Sequence, residues 1–185
     1  MDDLLQVLTN TNLADLYTTI RQSSGVTAPE LIERVDISKK TVYEYLHRLE
    51  RAGLATETNN NGGTSVYEAE EFELTLTIRG IEVSITPELV AVMACADEYP
   101  VVNRVCDEHG FVTFALAYDL INAHSEGDVT IRQIAGLADL SDGTAYDLVE
   151  ALYQIQELGD TDPSPTTYTP DDVANDNLPS DLTNQ

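Results

Sequence analysis

Side chains that can contact nucleic acid recur at short intervals near one fifth of the way along the sequence. They are Ser38, Lys39, Lys40, Thr41, Tyr43, Glu44, His47, Arg48 and Arg51. Lysine and arginine can donate to guanine edges or to phosphates, and histidine or glutamate can select the edge of a base. Hydroxyl groups can add phosphate contacts. The types and spacing of these residues therefore predict a face that contacts double-stranded DNA.

Two predicted helices and a tight turn position this face. The first runs from Ala28 to Val35, the turn covers 36 to 38, and the second runs from Lys39 to Ala52. Ser38 is a good N-cap, because its hydroxyl can accept from a backbone N–H in the first turn. Gly53 suits the left-handed residue that follows a helix. The opposite stripe of the second helix is apolar and faces a core, through Val42, Leu46 and Leu49.

The segment ISKKTVYEYLHRLERAGL, with the short helix before it, resembles the winged-helix transcription regulators of the MarR, ArsR and TrmB type. A candidate hairpin wing follows, with strands at 54 to 58 and 64 to 69 joined by an Asn- and Gly-rich turn. The resemblance implies that the second helix enters the major groove. The predicted wing tip has no lysine or arginine, unlike many members of these families, so a minor-groove contact by the wing is in doubt.

The chemistry of each side chain gives it a provisional role and an alternative. Lys39 or Lys40 would donate to guanine, His47 or Glu44 would select a base, and Arg48 and Arg51 would meet phosphates with Thr41 or Ser38. Three alternatives stay open: Tyr43 packs on the preceding helix, Glu44 pairs with Arg48, and His47 is only a polar surface residue.

A second copy of the helix-turn-helix pattern follows 103 residues later. Residues 26 to 52 align without a gap on residues 129 to 155, and seven of the 27 positions are identical. The second copy keeps the turn and the cap, but Lys39 and Lys40 become Asp142 and Gly143. We expect this acidic copy to serve dimerisation or regulation, with its apolar positions packed on another subunit or on the linking helices. Those positions, predicted to be exposed, are Leu148, Ala151 and Ile155.

The pattern as a whole predicts a mainly α protein with small β-hairpin wings, an α+β tandem winged-helix architecture. Residues 1–71 would form the DNA-binding domain and 72–110 a β-hairpin with linking helices. Residues 111–172 would form a degenerate, acidic winged helix with a second wing near 167 to 173, and 173–185 a disordered acidic tail.

The charge balance is extreme for a DNA-binding protein. Nine Lys and Arg stand against 33 Asp and Glu, a net charge of −24, but six of the nine basic residues lie between 21 and 51. Such an acidic composition with almost no lysine resembles proteins of extreme halophiles, which implies a haloarchaeal source. An ordinary acidic protein or a DNA mimic is the alternative.

Other function classes have little support in the sequence. It contains no nucleophile–base pair, phosphate-binding glycine loop or Cys/His metal spacing, so we expect neither an enzyme nor a cofactor. It lacks a long apolar run and a basic amino-terminal leader, which favours a cytoplasmic protein. We expect a homodimeric, sequence-specific regulator. The leading alternative is a tandem winged-helix interaction module of the chromosome-organising kind, which binds a protein through its acidic copy and does not bind DNA. A second alternative is a ligand- or redox-sensing regulator that uses a cavity among residues 86 to 125, for which the sequence names no ligand.

Overall fold

The computed structural model describes Val7, residues 9 to 59 and residues 64 to 156. Within these ranges it is an α+β fold with antiparallel sheets, as predicted. The helices are α1 (Thr11–Arg21), α2 (Ala28–Arg34), α3 (Lys39–Arg51), α4 (Pro87–Ala94), α5 (Pro100–His109), α6 (Phe111–Ser125), α7 (Ile131–Ala138) and α8 (Asp142–Ile155). The strands are β1 (Val26–Thr27), β2 (Ala55–Asn59), β3 (Ser65–Ala69), β4 (Leu74–Ile78) and β5 (Ile81–Ile85).

The first three helices and a three-stranded sheet form the winged helix. The sheet order is β1-β3-β2, and β2 pairs with β3 from Ala55↔Ala69 to Asn59↔Ser65. The predicted wing hairpin is confirmed with its strands shifted by one residue, whereas the short strand β1 was not predicted. The wing tip, residues 60 to 63, lies outside the described residues. Gly25 has a φ of +92°, and a Cβ there would lie 2.9 Å from Val66 Cγ1, so the loop before β1 needs glycine to approach β3.

Side-chain caps fix the starts of the winged-helix helices. The Asn10 side chain accepts from Leu13 N–H at 3.0 Å, and Ser38 accepts from Thr41 N–H at 3.2 Å. Thr27 and Glu30 form a reciprocal capping box at the start of α2. The predicted Ser38 cap is therefore confirmed, and Gly53 follows α3 at a φ of +71°, as expected.

The hairpin β4–β5 connects the two halves of the molecule. Arg79 and Gly80 form its two-residue turn with φ of 52° and 83°, between the paired residues Ile78 and Ile81. Arg79 Nη1 donates to the carbonyl oxygen of Leu137 at 2.9 Å, at the C-terminal end of α7. A cation is favourable there, because the unpaired carbonyls of a helix end carry partial negative charge.

Helix α1 packs closely against α4 as well as within the winged helix. Arg21, in its last turn, contacts Glu71 at 2.6 Å and Glu88 at 2.7 Å, so it links the end of the wing to the start of α4. The Tyr17 hydroxyl donates to the carbonyl oxygen of Glu70 at 2.8 Å, and burial raises the pKa of Tyr17 to about 12. The apolar core is consequently one cluster that runs through both halves.

The expectation that Leu148, Ala151 and Ile155 are exposed is wrong. Leu148 is 0 % exposed, Ala151 is 6 % exposed, and Ile155 packs on the core. The physical reason is that α5, α6 and α7 all lie against α8 and supply an apolar partner within the same chain. Of the two predicted partners, another subunit or the linking helices, the structure contains contact with the linking helix α5.

The structure does not test the predicted second wing, the acidic tail or the domain limits. The second wing and the acidic tail lie beyond the described residues. The domain limits at 71 and 110 remain predictions. Among the described helices, none has the length and apolar character needed to cross a membrane.

Candidate nucleic-acid interface

Helix α3 presents one polar face to solvent. A step of about 100° per residue places Lys39, Tyr43, His47 and Arg51 in one row of i, i+4 neighbours. Lys40 and Glu44 fall beside this row, so that the six residues share a sector of about 140°. The opposite side is buried through Val42, Leu46 and Leu49. The helix thus separates the residues that hold it in place from those that a ligand could reach.

Lys39 and Lys40 are the most available cations of this face. Both are exposed in the first turn of α3. Within the described part of the chain, neither ammonium group has a hydrogen bond or an ion pair. Their charges can therefore be used for a ligand without breaking an internal contact.

Ser38 and Thr41 already take part in an internal contact. Their hydroxyl oxygens lie 2.7 Å apart, and Ser38 Oγ also accepts from the Thr41 backbone N–H. Their first role is to begin α3 at the correct residue. A phosphate contact by either hydroxyl would have to share this hydrogen-bonded pair.

The pairing of Glu44 with Arg48, which was one of the alternatives predicted from the sequence, is present in the structure. Arg48 Nη2 lies 3.0 Å from Glu44 Oε1, and the Arg48 guanidinium lies 5.6 Å from the centre of the Tyr45 ring. Tyr45 in turn accepts a hydrogen bond from Asn10 Nδ2 at 3.4 Å. Arg48 therefore lies at the flank of the exposed sector, fixed by neighbours on its own helix.

Tyr43, His47 and Arg51 complete the outer row. The Tyr43 side chain is 39 % exposed, so packing on the preceding helix, α2, does not bury it. The His47 side chain is 76 % exposed, and its Nδ1 lies 3.3 Å from Glu50 Oε2. Arg51 is exposed in the last turn. These three side chains reach solvent on the same side as Lys39.

The described strands of the wing add no cation to this face. Thr56 donates to Glu70 at 2.6 Å and Thr58 donates to the Val66 carbonyl at 3.3 Å, so both hydroxyls are used within the hairpin. The sequence between Ala55 and Ala69 contains no lysine or arginine. Four of the six basic residues of the described winged helix thus lie on α3.

Residues 10–73 match the family model of TrmB, the sugar-specific transcriptional regulators. Regulators of this family carry a winged-helix DNA-binding domain. Comparison with curated proteins and with solved structures gives no match.

The TrmB-like segment, residues 10–73, contains all nine candidate residues and ends before β4. The acidic copy of the motif lies outside it. That copy repeats the caps, since Ser141 accepts from Thr144 N–H at 3.1 Å and Thr130 forms a capping box with Gln133. Its exposed face carries the residues Asp142, Tyr146, Asp147 and Glu150.

The sequence did not predict two contacts, one on α3 and one on the acidic copy of the motif. The Arg48–Tyr45 contact could have been found from the helical spacing, since residues three apart are neighbours. The ion pair between Asp147 and Arg104 at 3.0 Å could not, because 43 residues separate the partners. Among the described residues no group of side chains could hold a metal ion.

Proposed function

We propose that this protein is a transcription regulator that binds double-stranded DNA through α3. The observation that carries the proposal is the exposed, unpaired pair Lys39 and Lys40 at the start of the second helix of a helix-turn-helix. The similarity of residues 10–73 to the TrmB family supports it. In this arrangement the N-terminal residues of the second helix contact base edges in the major groove.

The contacts within α3 sharpen the role of each side chain. Lys39 and Lys40 would donate to guanine O6 and N7, and Tyr43 and His47 would follow along the same groove. Arg51 would meet a phosphate from the last turn. The ion pair with Glu44 makes Arg48 a flanking phosphate contact, and Glu44 would orient Arg48 rather than select a base.

The second helix-turn-helix has a different role in this proposal. Its acidic face would repel phosphates, so it would serve dimerisation or regulation within a tandem winged-helix architecture. A homodimer would place two α3 helices on a two-fold operator. The net charge of −24 fits a halophilic, cytoplasmic protein. Molar salt weakens phosphate-driven binding steeply, so base contacts would supply more of the affinity.

The experiment is selection of binding sites from a random DNA pool at low and at molar KCl. We expect one defined motif for the wild type. The variant Lys39→Glu/Lys40→Glu should bind that motif at least about thirtyfold more weakly, because a base contact is worth about 1–3 kcal/mol and each 1.4 kcal/mol is about tenfold.

A matched pair of single variants controls for net charge. Lys40→Glu and Arg132→Glu change the charge equally, and both residues are exposed on helices. Only Lys40→Glu should weaken binding to the motif. The proposal fails if no motif is selected at any salt by the folded wild type, or if the two single variants lose affinity equally.

The second candidate function is a protein-interaction module without DNA binding. The observation that favours it is the acidic outer face of α8, on which Tyr146 is 53 % exposed. The same selection distinguishes the two, because an interaction module would select no DNA motif.

A further inference from the structure

Strand β4 has an open edge that lacks the usual protection. In the described part of the chain it pairs with β5 on one side only. The closing pair of a two-residue hairpin, here Ile78 and Ile81, is hydrogen-bonded, and bonded pairs alternate with non-bonded ones. The backbone N–H and C=O groups of Thr75 and Thr77 therefore point away from β5, and both residues are exposed.

The two other five-residue strands at sheet edges in the described residues, β2 and β5, are protected differently. Exposed strands commonly carry a charge that prevents pairing with another chain. Strand β2 has Glu57 at its centre, and β5 has Glu82. Strand β4, with the sequence LTLTI, has no charge, no proline and no glycine.

The apolar face of this hairpin is covered only in part. On β5, Val83 and Ile85 are buried, at 0 % and 1 % exposed, and the strand packs on α6. On the neighbouring strand, Leu76 is half-buried and Leu74 is 36 % exposed. The core thus ends within the hairpin, and an added strand would extend it.

We propose that β4 is the surface through which two copies of this chain pair, edge to edge and antiparallel. The register that pairs the most residues of the two β4 strands places Leu76 on the two-fold axis that relates the two copies. Each Leu74 then lies beside Ile78 of the other copy, and Thr75 exchanges backbone hydrogen bonds with the other Thr77. Two half-covered apolar faces become one continuous face.

Charge supports a second copy as the partner. Two chains of net charge −24 repel each other, so pairing is least opposed at a locally uncharged surface such as β4. The same register brings Glu73 of each copy opposite Arg79 of the other, which gives two attractive pairs. Arg79 already donates to the Leu137 carbonyl, and its Nη2 lies 3.7 Å from Asp139 Oδ2. Its side chain is 51 % exposed and its guanidinium has five N–H donors, so it can keep both contacts and also pair with Glu73 of the other copy.

This inference names the surface of the homodimer in the proposed function, but it is measured without DNA. Sedimentation of the full-length wild type should give twice 20.3 kDa at micromolar concentration. Thr75→Pro removes an outward N–H and leaves the β4–β5 bonds intact, so it should sediment at 20.3 kDa with unchanged circular dichroism. Thr75→Val keeps the N–H and should remain dimeric.

A cross-link tests the register and does not depend on the stability of the proline variant. In the proposed pair the two Leu76 residues are directly opposite and not hydrogen-bonded, with Cα atoms about 4.5 Å apart, a separation that a disulfide can span. Leu76→Cys should form a covalent dimer under mild oxidation. Thr56→Cys on the charged edge of β2 is the matched control and should not.

The native cysteines should not interfere with this test. Burial raises the pKa of Cys106 to about 12 and also raises that of Cys95, which disfavours the reactive thiolate at both positions. A monomeric wild type, a dimeric Thr75→Pro variant, or equal cross-linking of Leu76→Cys and Thr56→Cys would overturn the β4 proposal. DNA selection by α3 is measured in a separate experiment, so none of these outcomes decides the proposed function.

Discussion

The two helix-turn-helix segments of this chain, 26 to 52 and 129 to 155, share a framework and differ in their exposed face. Each begins its second helix with a serine cap, and each buries three residues at matching positions. The outer face of α3 has exposed lysines, whereas that of α8 has Asp142 and Glu150. The contrast teaches that the same serine cap and the same three buried positions are compatible with opposite charge on the exposed face of the helix.

The largest expected effect is on the shared core. Leu49 and Leu152 occupy equivalent positions and are both 0 % exposed. We expect Leu49→Ala and Leu152→Ala each to lower the free energy of unfolding by about 2–5 kcal/mol, since each leaves a cavity. Urea unfolding measures this loss.

An exposed pair at equivalent positions provides the control for the core variants. Tyr43→Ala and Tyr146→Ala should change stability by about 0.5 kcal/mol. If a core variant lowered the free energy of unfolding by no more than its tyrosine control, the two segments would not share an equivalent core.

An intermediate effect is expected at the caps. Ser38→Ala and Ser141→Ala should each cost about 1 kcal/mol, because the backbone N–H of Thr41 or Thr144 loses its acceptor. Thermal unfolding detects the loss, and Ser→Asp at either position should retain most of the stability. Only Ser38→Ala should also weaken DNA binding, since it frays the first turn of α3. A cost at one serine alone would show that the caps are not equivalent.

The smallest expected effect is a difference between the two capping boxes in how their contribution to stability depends on pH. The backbone N–H and hydroxyl of Thr27 lower the pKa of Glu30 from its ordinary 4.5, whereas Gln133 does not titrate. Because folding lowers its pKa, Glu30 makes its full contribution to the stability of the folded protein above pH 4.5. This contribution is lost as the pH falls through the pKa of Glu30 in the folded state.

Two exchange variants test this difference. We expect Glu30→Gln to lower the melting temperature at neutral pH. This decrease should become smaller in acid. Gln133→Glu should transfer the pH dependence to the second segment. A loss in Glu30→Gln that grows in acid would contradict the assignment.

Local patterns in the sequence predicted the parts of the fold that depend on near neighbours. The Ser38 cap and the buried stripe of α3 each rest on residues a few positions apart. The face of α3 was predicted for the same reason, since helical spacing alone brings Lys39 and Tyr43 together.

Contacts between distant segments could not be predicted in this way. Leu148 and Ala151 looked exposed on a single helix, but α5 and α6 cover their side of α8. The contact between Arg79 and the Leu137 carbonyl likewise spans 58 residues. Such contacts depend on how the elements pack, which the spacing within one element does not contain.

The position of α1 has a consequence for exchanging parts of this protein. One helix serves both the winged helix and α4, and Arg21 joins the end of the wing to Glu88. A chimera that replaced residues 10–73 with the equivalent segment of another regulator would leave α4 facing a foreign surface. It would need compensating changes in α4, and the two halves of the chain are therefore expected to have evolved together.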